Sequence, residues 1–93
     1  MDPDVMLEML KVDLGITTKA YDDRLSQVLQ YAMAAIKREG ATLNTCASLQ
    51  DANLVIMYAA WTWRRRDTMD GMPRMLRWAL NNRIFGEKMG AAT

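Results

Sequence analysis

Residues 49–66 of this 93-residue chain constrain it more than any other stretch, because they are apolar on two sides at helical spacing. Ala52, Val55, Ile56, Ala59 and Trp63 form one face, and Leu54, Met57, Tyr58 and Trp61 form another. One neighbour cannot cover such a helix. It belongs at the centre of a bundle or lends a face to a partner. Ser48-Leu49-Gln50-Asp51 ahead of it has the form of a capping box with Asp in the Glu position.

The other segments follow the same helical logic. Pro3 suits a first helical turn, where its missing N–H costs nothing, and Asp2 can cap it. Leu7, Leu10 and Leu14, with Met6 beside them, give that helix its apolar side, and Gly15 suits a left-handed stop. A second helix is expected after a cap at Thr17 or Thr18. Tyr21, Leu25, Val28, Leu29, Ala32, Ala35 and Ile36 form its single stripe, and Gly40 ends it. Residues 41–47 make a short polar connection. After a turn at Asp67–Gly71, Pro73 opens a final helix with Met72, Met75, Leu76, Ala79, Leu80 and Arg83 on its inner stripe. No stretch alternates with a period of two without also fitting a helix. The fold class is therefore all-α, a small bundle of four or five helices, with one domain over residues 1–86 and a loose tail over residues 87–93.

Composition narrows the chemistry. The chain has no His, which excludes imidazole acid–base catalysis and imidazole metal ligation. Cys46 is the single cysteine, which excludes an internal disulfide and a cysteine zinc site, and without a base beside it a free thiol is expected. The acid pairs Asp22-Asp23 and Asp67/Asp70 read as helix-end and turn residues, not as an acid–base couple. No glycine pair has the setting of a phosphate-binding loop. No enzyme activity, cofactor or metal is expected. Leu54–Trp63 is too short to span a membrane. Asp2-Pro3-Asp4 is acidic where a signal peptide would be basic, so a soluble intracellular protein without an export signal is expected.

Apolar residues make up 51% of the chain, enough for a real core. Yet a domain of this size buries only roughly 60–65% of its unfolded surface, so self-assembly would help it. Charge is unevenly placed. Residues 1–63 hold five Lys/Arg and eight Asp/Glu; residues 64–93 hold seven and three. Acidic Glu8, Asp22 and Asp23 are expected to face Arg64, Arg65 and Arg66 of a neighbouring copy. Three successive arginines also suit a helix C-terminus or a phosphate. Trp78, between Arg74, Arg77 and Asn81, is an interface anchor or wraps back onto the core. Trp61 is core or faces a neighbour. Met69, Met72 and Met75 fill the core or adapt to a partner.

Taken in order, these features resemble the small head–tail connector (adaptor, head-completion) proteins of long-tailed bacteriophages. The resemblance rests on Leu10-Lys11-Val12-Asp13-Leu14-Gly15-Ile16 before a Thr/Asp-rich helix start at Thr17 to Asp23, on the helix with Leu25, Leu29, Ala32 and Ile36, on Ala52 to Trp61 ending in arginines, and on the Met72-Pro73 start with Leu76, Leu80 and Arg83. It covers about residues 5–85. It implies a non-enzymatic virion protein, assembled in the host cytoplasm and located at the head–tail interface. The protein would form a ring of about a dozen copies beneath the portal, extending the DNA channel and docking the tail or a head-closure protein. Its partners would be the portal protein, neighbouring copies and that tail component, with DNA only as cargo and no membrane. The C-terminal region tends to engage the portal in that family, which implies a role for Trp78 to Lys88. The connection at residues 41–47 is shorter than it can be in that family. Residues expected at partner contacts are Trp61, Arg64, Arg65, Arg66, Met72, Arg74, Arg77, Trp78, Arg83 and Phe85. The rival reading is a small helix–turn–helix DNA-binding protein over residues 48–83, supported by the basic C-terminal third.

Overall fold

The computed structural model describes residues 2–45, 48–65 and 71–92, with side chains as far as Gly86. The described residues form a compact all-α domain of four helices: α1 (Pro3–Leu14), α2 (Asp22–Arg38), α3 (Leu49–Arg64) and α4 (Arg74–Ala92). Helix α3 packs against all three others, as a helix apolar on two sides must. It buries Ala52, Leu54, Val55, Ile56, Tyr58, Ala59 and Ala60.

Local chemistry sets the helix ends. Asp2 caps α1, its Oδ1 accepting from the Asp4 N–H at 3.2 Å. Gly15 closes α1 in the left-handed region (φ 71°), where the Gly15 N–H donates to Val12 O and the Ile16 N–H to Lys11 O. Gly40 (φ 113°) follows α2 in the same way. Ser48 caps α3, its Oγ accepting from the Asp51 N–H at 3.2 Å.

Two boundaries and one helix face differ from the sequence reading. Helix α2 starts at Asp22, with no side-chain cap at Tyr21; Thr18 instead accepts from the Ala20 N–H and makes a local turn. Residues 87–93, expected as a loose tail, are helical in their backbone as far as Ala92. The inner side of α4 is carried by Leu76 and Leu80, both buried, whereas Met75 is 77% exposed. Met75 lies about 100° around the helix from Leu76, which takes it off the face that meets α3.

The core joins Met6 and Leu10 of α1, the predicted stripe of α2 from Leu25 to Ile36, the two faces of α3, and Leu76 and Leu80 of α4. The Cα framework measures 47 × 30 × 18 Å. That is a slab less than two helix diameters thick, so α3 is not enclosed on every side.

Replacing Leu10, which is fully buried, by Ala should destabilise the fold by about 2–5 kcal/mol. Val12→Ala on the outer side of the same helix should change stability by less than about 0.5 kcal/mol. Urea denaturation of the two variants checks the contrast. Equal losses would mean that α1 does not dock through Met6 and Leu10.

Candidate functional site

The most buried charged contact of helix α4 among the described residues is made by Arg83. Arg83 Nε donates to Asp51 Oδ1 at 2.7 Å, and its Nη2 donates to Asp51 Oδ2 at 3.3 Å and to Thr42 O at 2.6 Å. Asp51 Oδ2 also accepts from the Asn44 N–H at 2.9 Å. The Asp51 side chain is only 3% exposed. A buried carboxylate is tolerated here because a bidentate guanidinium and a backbone N–H satisfy it. The hydrogen bond from Arg83 holds its pKa below the ordinary carboxylate value, against the upward push of burial. So Asp51 does not complete a capping box; it links α3, α4 and the α2–α3 connection. Arg83, expected at a partner contact, is committed inside the subunit.

The other basic residues are also partly engaged. Arg64 Nη2 donates to Asp13 O at 2.9 Å, near the C-terminus of α1. The Arg65 guanidinium sits 4.4 Å from the Trp61 ring centroid, a cation–π contact. Arg77 pairs with Glu39 at 3.2 Å. Arg66, Asp67, Met69, Asp70 and Cys46, singled out in the sequence, lie outside the described residues. Asp22, expected to face a neighbour's arginine, is engaged within the chain. Its Oδ1 lies 2.8 Å from Nζ of the buried Lys11, an ion pair whose orientation falls short of a directed hydrogen bond. Asp23 and Glu8 are exposed.

The aromatic residues divide. Trp63 is partly buried and meets Tyr21 edge-on at 5.7 Å. Trp61 is partly buried and meets Tyr58 edge-on at 5.3 Å. Burial raises the Tyr58 pKa above its usual value. Trp61 Nε1 is buried without a hydrogen-bond partner among the described residues. Trp78 is 69% exposed and Phe85 63%, so neither wraps back onto the core. Met72 packs partly against the core, and Arg74 is exposed.

Of these side chains, Trp78 borders a groove between α3 and α4. Gln50, Asn53 and Met57 of α3 form one wall, and Trp78, Asn82 and Gly86 of α4 the other, around about 630 Å³ of open space. A second hollow of about 210 Å³ adjoins it at Met57 and runs between Trp61, Met75 and Asp13. The resulting face is apolar at its centre, with Trp and Met side chains that suit a protein contact. Among the described residues no cluster of acids or thiols could hold a metal ion, and no helix is long and apolar enough to cross a membrane. No family model, curated protein or solved structure matches the chain.

Two outcomes separate the internal tie from the open face. Arg83→Ala leaves a buried carboxylate without its cation and should cost about 3 kcal/mol, whereas Trp78→Ala should leave the melting temperature within about 2 °C of the parent. The depressed Asp51 pKa also sets a pH dependence. Because the folded value lies below the unfolded one, its contribution is complete above about pH 4 and fades as pH falls through the lowered value. Denaturant titrations across that acid range should show a shallower loss of stability for Asp51→Asn than for the parent. Parallel pH curves would show that the pair does not govern acid stability.

Proposed function

We propose that this chain is a structural head–tail connector of a long-tailed phage, a non-enzymatic subunit that works by assembling. The observation that carries the reading is the uncovered α3–α4 face, where Met75 and Trp78 are each more than 60% exposed, with Phe85 exposed further along the same helix. Large aromatic side chains left in water on so small a domain are costly unless another polypeptide covers them. The order of sequence features from Leu10 to Arg83 supplies the rest of the support, since it resembles that of connector proteins. In this reading the subunits form a ring beneath the portal, DNA passes through the centre, and the exposed face meets a neighbour, the portal or the tail component.

Against a DNA-binding module weighs the use already made of the arginines. Arg64, Arg65, Arg77 and Arg83 each contact a group of the chain itself, and on the exposed side of α4 Met75, Trp78 and Phe85 interrupt the polar Arg74, Arg77, Asn81 and Asn82. Base reading needs polar side chains along an exposed helix face.

Electron microscopy of the chain, alone and mixed with a portal ring, tests the proposal. Closed rings with a central opening wide enough for duplex DNA, or decoration of one end of the portal, are the expected result. No ring in either sample, together with duplex DNA binding that weakens steeply with salt, would establish the rival instead.

A further inference from the structure

We propose that the α3–α4 groove receives helix α1 of a second copy of this chain, head to tail. The inference deepens the connector reading by naming the contact between neighbouring subunits. It rests on that reading only for what the assembly is used for.

The outer side of α1 carries an apolar stripe of its own. Val5 is 47% exposed, Met9 41% and Val12 78%, at positions i, i+4 and i+7 of one helix face. This stripe faces away from Met6 and Leu10, which hold α1 to its own core. The subunit therefore displays two apolar surfaces, the α1 stripe and the α3–α4 groove, with Asp13 at the C-terminal end of α1 bordering the hollow that adjoins the groove.

Their charges are complementary. The exposed charged residues of α1 and its cap are all acidic: Asp2, Asp4, Glu8 and Asp13. The one base of α1, Lys11, is buried against Asp22. On the other surface, residues 71–86 contain three arginines and no acid. Arg74 stands exposed beside Trp78; Arg77 is paired with Glu39, and Arg64 borders the adjoining hollow together with Asp13, to whose carbonyl it donates. Asp51, beneath the groove, is neutralised by Arg83. An acid-edged stripe thus has a base-edged groove to enter, which steers association and fixes its orientation.

Dimensions agree. The 12 residues of α1 make a rod roughly 18 Å long, and the α4 wall from Met75 to Gly86 runs roughly 16 Å. Each copy has one stripe and one groove, so the contact is heterologous and continues from copy to copy until a ring closes or a filament grows.

Complementation between two blocked subunits tests this directly. Val12→Glu spoils the stripe and Trp78→Glu spoils the groove; both positions are exposed, and circular dichroism confirms that each variant is folded. Sedimentation velocity and native mass spectrometry of the parent should show concentration-dependent assembly that weakens with added salt. Each variant alone should associate at least about tenfold more weakly. Mixed in equal amounts, they should form a one-to-one pair that grows no further, because only one intact stripe and one intact groove remain. An assembling parent whose variants stay monomeric when mixed, or assemble as the parent does, would overturn the inference and leave the connector reading standing. A parent that stays monomeric at millimolar concentration would overturn it too, while rings formed only on a portal would still support the connector.

Discussion

Burial of α3 governs this structure, because Leu54, Val55, Ile56, Tyr58 and Ala59 occupy more than half of its circumference and each large side chain among them gains about 1.5–3 kcal/mol on leaving water. Helices α1 and α2 satisfy much of that demand through Leu10, Leu25, Leu29 and Ile36. Among its described side chains, helix α4 buries Leu76 and Leu80. Its position depends on Arg83 reaching across to Asp51 and Thr42, a polar tie that substitutes for a wider apolar seam. The shortfall in coverage lies beside that tie, and Met57 is exposed there.

Much of this was legible in the sequence. The stripe of α2 is buried from Leu25 to Ile36 as its spacing requires, and Asp2, Gly15 and Ser48 act as the caps that their chemistry suits. The double-faced pattern of residues 49–66 placed α3 at the centre. These features are local, set by residues within a few turns of one another.

What escaped the sequence reading depends on contacts between distant segments. Asp51 looked like half of a capping box, and its Oδ atoms turned instead to Asn44 and to Arg83, 32 residues away. A signal was present: one acid on the inner side of α3 and one base on the inner stripe of α4, each costly to bury alone. Arg64 and Asp22 read as contacts to a neighbour because they are charged and sit near helix ends. They are bound within the chain, to Asp13 O and Lys11, and only the folded arrangement brings those groups together. Met75 was assigned inward by periodicity alone, which cannot fix the centre of a stripe to better than one residue. The uneven charge of the chain is thus partly spent on internal ties. What is left, acids on α1 and Arg74 beside the groove, gives the surface its polarity.

The account stands on the claim that the α3–α4 face is covered when the protein is at work. Hydroxyl-radical footprinting read by mass spectrometry measures that coverage residue by residue, in dilute subunits and in the assembled state. Oxidation of Met57, Met75 and Trp78 should fall several-fold on assembly, while Tyr31, exposed on α2 away from the groove, should be oxidised equally in both. Equal labelling of Met57, Met75 and Trp78 in the two states would contradict the claim.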